Sequence, residues 1–237
     1  MLYRRGMVSA LLGRKIGQVR MGRELAGSTV GLLGLAPVAH TLAPMLRSLG
    51  VRVLGYDPAV HHAADLWDKL GVEPVPLNEL MSQSDAISLQ MVYASRFKGW
   101  INERLLNHCK PGQLWVGVSR SSLFDPEALA LALTDGRIDA CLLDGANPAF
   151  AAEGTPLYNV PNLHLTPRLG SHTREAKLRA SWYVAHRIHE TLSPATAKAE
   201  SKPSDFSELD SLHLPDQEDP QAVSPSQWES LAVHHRP

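Results

Sequence analysis

The chain is short of most features that would place it early. It has two cysteines, Cys109 and Cys141, far apart and without metal-ligand spacing, so a disulfide-built secreted fold and a zinc module are both excluded as first readings. Two reduced, buried thiols in a cytosolic protein fit better. No apolar run reaches the length of a membrane span, and Met1–Gly6 has no apolar core followed by a cleavage site; the cytoplasm is the expected compartment. Excess charge is also missing. Against 24 acidic residues stand 23 Lys and Arg, for a formal net charge of -1, so nothing in the bulk composition points to nucleic acid or an anionic membrane as partner.

What the chain does have is order in zones. Residues 1–26 are basic and mildly amphipathic, with Met7, Ala10, Leu11, Leu12, Ile16 and Val19 at helical spacing. Residues 27–192 alternate short apolar runs with amphipathic segments. From 193 to 237 Ser, Pro, Asp and Glu dominate, a composition that cannot offset its ordering entropy and reads as a disordered acidic tail; Leu212, Leu214 and Trp228 are its possible docking anchors.

The middle zone reads as a βα repeat. Strands are predicted at 29–33, 52–56, 86–89, 114–118, 140–143 and 162–165, all apolar enough to be buried on both faces. Helices are predicted at 38–49, 63–70, 77–81, 102–108 and 126–133, with a long closing helix over 171–192. Gly50 and Gly71 serve as helix stops, and Asp125-Pro126 as a cap followed by proline at the first helical position. Such alternation implies a Rossmann-type α/β domain, a doubly wound parallel sheet.

The sharpest local signal is Val30-Gly31-Leu32-Leu33-Gly34-Leu35-Ala36-Pro37-Val38-Ala39, between the first strand and the first helix. A dinucleotide fingerprint would place glycines at three positions of this turn. Gly34 fills the tight-turn position, Ala36 stands where the backbone must approach a pyrophosphate, and Ala39 is a tolerated small residue for helix–strand packing. Pro37 removes one N–H from the helix start. Asp57 ends the second strand about twenty residues on, where a carboxylate bonds ribose hydroxyls and favours NAD over NADP.

Further matches accumulate in order: Tyr56-Asp57-Pro58, Leu77-Asn78-Glu79-Leu80, Ser84-Asp85, Gly99-Trp100-Ile101-Asn102, Lys110-Pro111-Gly112, Arg120, Leu123-Phe124-Asp125, Gly136-Arg137-Ile138, Leu143-Asp144, Pro161-Asn162 and Leu165-Thr166-Pro167. Across residues 8 to 190 the chain resembles the cofactor domain of the D-2-hydroxyacid dehydrogenases. The resemblance implies NAD as cofactor, held by Gly34, Ala36, Pro37, Val38, Asp57, Val118 and Asp144. It implies a keto or hydroxy acid as substrate, gripped by Arg120 through a bidentate guanidinium–carboxylate contact. It also implies a homodimer.

The same resemblance exposes what is missing. The family protonates the carbonyl oxygen with a His and raises that His's basicity with a Glu. Arg168 stands at the His position and Asn147 at the Glu position. A guanidinium does not cycle a proton near neutrality, and an amide has no charge with which to raise a neighbour's pKa. Acid–base catalysis contributes about a hundred- to ten-thousand-fold, and a loss of that order is expected. His172 lies four residues beyond Arg168 and reads as a helix-start histidine. Gln90–Ala94 replaces a His-, Pro- and Thr-containing loop, and Ser121-Ser122 adds bulk after Arg120. The family's substrate domain of about a hundred residues is represented by the short segment 1–26, which implies either a start upstream of Met1 or loss of that domain. Three functions follow: an NAD(H)-binding relative with weak or lost turnover, a corepressor-like scaffold that works by contact, or, ranked below the first, a working oxidoreductase with altered chemistry, which needs an unexpected proton donor.

Overall fold

In the computed structural model the described residues are 22–192; the segment 1–21 and the tail from 193 onward, with the readings made for them above, lie outside the described residues. The domain is one parallel sheet of seven strands in the order β3-β2-β1-β4-β5-β6-β7. The strands are β1 (Thr29–Leu33), β2 (Arg52–Tyr56), β3 (Glu73–Pro74), β4 (Ala86–Leu89), β5 (Gln113–Gly117), β6 (Ile138–Asp144) and β7 (Leu163–Thr166). The helices are α1 (Pro37–Ser48), α2 (Asp65–Leu70), α3 (Leu77–Gln83), α4 (Glu103–Leu106), α5 (Pro126–Thr134) and α6 (Arg174–Leu192). The order reverses between β1 and β4, the point at which doubly wound sheets open a ligand crevice at their carboxyl ends.

Local signals decide most boundaries. The Asp125 side chain accepts from Ala128 N–H at 3.0 Å and starts α5. Gly71 stops α2 with φ +62°. The closing helix begins at Arg174 rather than Ser171, because residues Leu169–Ser171 form a 3-10 turn first and the Thr173 hydroxyl then caps Ala176 N–H.

The two faces of the sheet differ. On one, Leu33, Leu54, Ile87, Leu89, Trp115, Cys141 and Leu143 pack against α3, α4 and α5 through Leu80, Met81, Leu106 and Leu129. On the other, Val30, Leu32 and Val53 pack against Ala39, Ala43 and Leu46 of α1 and against Trp67 and Leu70 of α2. That second cover stops at β4. Val116 on β5 and Val118 just beyond it are 39% and 48% exposed, although strands buried on both faces were expected. Along α6, Leu178 is buried while Tyr183, Val184, Ile188 and Leu192 face solvent. Cys109 and Cys141 are free and buried, as expected, and burial pushes the Cys109 thiol up to about 12, which makes it inert at neutral pH.

At the amino end of the sheet, Asp85 ties three elements together. Its carboxylate accepts from Thr29 N–H at 2.9 Å, from Lys110 Nζ at 2.6 Å and from Arg23 at 3.3 Å. Burial by itself raises this carboxyl; the Lys110 ammonium, the Thr29 N–H and Arg23 overcome that and hold it below the usual carboxylate range.

Candidate active site at the carboxyl edge of the sheet

Because every strand is parallel, the residues that follow β1, β2, β4, β5, β6 and β7 all emerge on one edge. Gly34, Asp57, Gln90, Val118, Arg120, Asn147 and Arg168 are therefore brought to the same side of the domain. They divide into two groups.

The first group surrounds the turn from β1 to α1. Gly34 has φ +98°, and a Cβ there would lie 2.6 Å from the Met91 backbone. Glycine is thus demanded twice, by conformation and by the approach of the strand-end after β4. Gly34 N–H donates to Tyr56 O at 2.8 Å, which fastens the turn to β2. Asp57 fastens it again: Oδ2 accepts from Leu35 N–H at 2.7 Å, and Oδ1 accepts from Ala59 N–H at 2.8 Å. A carboxylate has about four acceptor positions, so Asp57 keeps capacity for ribose hydroxyls while it holds the loop. Ala36 is the cap residue of α1, with Pro37 as first residue and no acidic side chain in the first turn. A twelve-residue helix therefore presents its positive end at the loop, with the N–H of Val38 but not of Pro37 available. Val38 is exposed beside it. The backbone cradle, the tight glycine and the retained carboxylate fit a dinucleotide; Ala36 and Pro37 reduce its N–H complement without closing it.

The second group follows β5, β6 and β7. Arg120 is exposed at the start of the turn Ser121–Leu123, and its guanidinium stands 5.5 Å from the centre of the Tyr93 ring. That cation–π contact joins Arg120 to the loop after β4, a partnership the residue order gave no way to anticipate. Ser119 reinforces it by donating to Met91 O at 2.7 Å. Asn147 is exposed and caps a short 3-10 turn, its Oδ1 accepting from Ala149 N–H at 2.9 Å.

Arg168 is exposed and left-handed, with φ +49°, a conformation unusual outside glycine. Asp144 supplies the reason. Its Oδ1 accepts from the Thr166 hydroxyl at 2.6 Å and from Leu169 N–H at 2.8 Å, and its Oδ2 accepts from Gly170 N–H at 2.9 Å. These bonds wind residues 166–170 about the carboxylate and leave Arg168 at the crest. Its stem crosses Gly145, where an added Cβ would come 2.5 Å from Arg168 Cγ. His172 is exposed at the end of the same turn. Chemically, this group offers two exposed guanidiniums, Arg120 and Arg168; neither Asn147 nor Arg168 can pass a proton.

The comparisons with known proteins agree with this layout. Residues 7–170 match the model of the D-isomer specific 2-hydroxyacid dehydrogenase NAD binding domain. D-3-phosphoglycerate dehydrogenase of Mycobacterium bovis is 34% identical over 175 residues, covering 73% of this chain and 32% of the relative. (S)-sulfolactate dehydrogenase of Chromohalobacter salexigens is 29% identical over 175 residues, covering 74% of this chain and 56% of the relative. Among solved structures, a glyoxylate reductase from Paecilomyes thermophila superimposes with a TM-score of 0.69 at 26% identity, over 80% of this chain and 57% of that one. The chain thus spans about a third of the length of the phosphoglycerate dehydrogenases it matches. From the matched domain, the strand order and the shape of the β1–α1 turn, the chain belongs to the D-isomer specific 2-hydroxyacid dehydrogenases, through their NAD-binding domain.

Proposed function

We propose that the chain binds NAD(H) at the β1–α1 turn and an organic anion near Arg120, with the 2-hydroxyacid oxidoreduction of its family weak or lost. The observation that carries this reading is the pair at the acid–base positions, Arg168 and Asn147, set beside a turn whose glycine and carboxylate are kept. Bound NADH would supply the hydride. Arg120 would grip the carboxylate of a small keto or hydroxy acid, and Arg168 would add a second cation. Asp57 would take the ribose hydroxyls; Asp144, with three of about four acceptor positions used by its own turn, would have one left for the nicotinamide amide. Val38 and Val118 would line the nucleotide's apolar surfaces. No group in this set delivers a proton to the carbonyl oxygen, so the transition state loses a contribution of about a hundred- to ten-thousand-fold.

The test has two parts. Energy transfer from tryptophan to NADH should saturate below about millimolar cofactor, an ordinary range for a specific small-ligand site; absence of transfer there defeats the NAD(H) assignment. NADH oxidation with glyoxylate or hydroxypyruvate should run far below ordinary turnover of about 1–1,000 per second; a rate inside that range defeats the loss of catalysis.

A second reading, a scaffold acting by contact, is supported by the apolar side chains left open at Val116 and Val118 and, on α6, at Tyr183, Val184, Ile188 and Leu192, since exposed apolar surface beyond scattered single residues marks interaction sites. A homodimer or a protein partner would cover it, and sedimentation as a monodisperse monomer counts against this. Among the described residues no helix is long and apolar enough to cross a membrane, and no cluster suits a metal ion.

A further inference from the structure

Four of the described arginines are paired with carboxylates: Arg23 lies 3.3 Å from Asp85, Arg52 2.8 Å from Glu73, Arg137 2.7 Å from Asp135 and Arg187 2.7 Å from Glu190. Arg120 is held in another way. Its Cζ stands over the Tyr93 ring, 5.5 Å from the centre, and among the described residues no carboxylate is paired with it.

The difference is chemical. A carboxylate neutralises a guanidinium and takes up its N–H donors. The face of an aromatic ring attracts the cation through its quadrupole but is no match for a carboxylate as an acceptor, so the fork of N–H groups on Arg120 is kept for a ligand. The support under the pair is fixed as well. Tyr93 is half-buried and packs against the larger hydrophobic core. One residue before Arg120, the Ser119 hydroxyl donates to Met91 O at 2.7 Å, and Val118 N–H donates to Leu89 O at 3.3 Å. Ring and guanidinium are thus carried by two chain segments bonded to each other within two residues of the contact. An arginine loose in solvent loses rotamer freedom when it grips an anion, which offsets part of the contact; one already laid on a ring has less to lose.

We infer that Tyr93 is a positioning residue of the anion site: its ring holds the Arg120 guanidinium in place with charge and donors unspent, and so sets the affinity for the ligand's carboxylate. The inference rests on the reading that Arg120 grips an organic anion, and it adds a residue to which that reading gives no role.

The experiment is a calorimetric titration of the full chain, with NADH present, using oxalate as the anion. It compares wild type, Arg120→Met, Tyr93→Phe and Tyr93→Leu, with thermal unfolding of each to confirm the fold. Arg120→Met should weaken oxalate binding by about tenfold or more, the size of a hydrogen bond to a charged group. Tyr93→Phe keeps the ring face and should bind within about 1.5-fold of wild type. Tyr93→Leu keeps apolar bulk without the ring and should bind about 3- to 10-fold more weakly, the size of ordering one long side chain. Nuclear magnetic resonance separates positioning from packing. The ring should shift the Arg120 Nε–H proton upfield in wild type and Tyr93→Phe, and the shift should vanish in Tyr93→Leu. A folded Tyr93→Leu that binds oxalate within about 1.5-fold of wild type, or equal losses in the phenylalanine and leucine variants, overturns the inference. If the leucine variant does not fold, a wild-type Arg120 signal at the position of ordinary exposed arginines overturns it instead. If wild type does not bind oxalate, or Arg120→Met binds it equally well, the anion reading falls first and the inference falls with it.

Discussion

The two halves of the carboxyl edge are built to different standards. Around β1, β2 and β4, side chains hold the backbone in the shape a nucleotide needs: Asp57 clamps Leu35, Gly34 lies against Met91, and α1 begins without an acidic residue in its first turn. Around β5, β6 and β7, the polar groups other than the arginines are spent on themselves. Asn147 caps its own turn and Asp144 winds residues 166–170, while Arg120 leans on the Tyr93 ring. The sheet beneath shows the same division, closed over by α1 and α2 on one side and open at Val116 on the other. A cofactor cradle is mostly backbone geometry and survives so long as the fold does. A proton-transfer pair is two particular side chains, and on the proposed reading Arg168 and Asn147 stand where it would be.

The strongest way to break this comparison is to rebuild the poorer half. Arg168→His with Asn147→Glu should raise NADH oxidation with hydroxypyruvate by about a hundredfold, the lower part of what acid–base catalysis supplies. The backbone permits it, because histidine is among the residues enriched in the left-handed conformation that position 168 adopts. No gain in initial rates would mean that the proposed loss of the acid–base pair does not by itself account for weak turnover.

The better half should be the more fragile to small changes. Gly34→Ala adds a Cβ at φ +98° against the Met91 backbone. It should destabilise the domain by about 2–4 kcal/mol, combining left-handed strain with overpacking, measured as a shift of the denaturation midpoint. Asp57→Ala should act on both stability and ligand. Leu35 N–H loses its acceptor, and NADH should bind about tenfold more weakly by fluorescence titration, as for a charged hydrogen-bond partner. Equal affinity would place the nucleotide away from the end of β2.

The same division explains what could be read from the residues alone. Strands β1, β2 and β4 are legible to the residue because each is a short apolar run between turn signals. β3 is not: Glu73-Pro74 has no apolar signature and exists as a strand through pairing with Leu54 and Gly55. β6 extends from Ile138 to Asp144, beyond the predicted 140–143, because β5 and β7 hydrogen-bond it on both sides. At the site, residue types at motif positions located Arg120, Asn147, Asp144 and Arg168. Their partners were beyond reach. The Asp57–Leu35 clamp spans 22 positions and the Arg120–Tyr93 contact joins two loops, so both come from the packing of the sheet rather than from any local pattern.

The smallest expected effect tests whether the nucleotide half is held from below as well as from the edge. Asp85 sits at the amino end of β4, away from the crevice, and joins β1 to Lys110 and Arg23. Asp85→Asn should cost about 1–2 kcal/mol at neutral pH, since a charge-assisted contact is replaced by neutral ones, and should lower the unfolding midpoint by about 4 °C. The sign of its pH dependence follows from the carboxyl's lowered folded-state value. The ionised form is preferred in the folded chain, so its stabilisation is complete above the ordinary aspartate range, near pH 4, and is lost as pH falls through the lower folded-state value. Wild type and variant should therefore stay apart above about pH 4, begin to converge below it, and meet only once the pH has fallen past the lower folded-state value. NADH affinity should change less than twofold. A larger change in affinity would mean that the two ends of β4 are coupled, and that the cradle depends on the foot of the sheet and not on its own clamps.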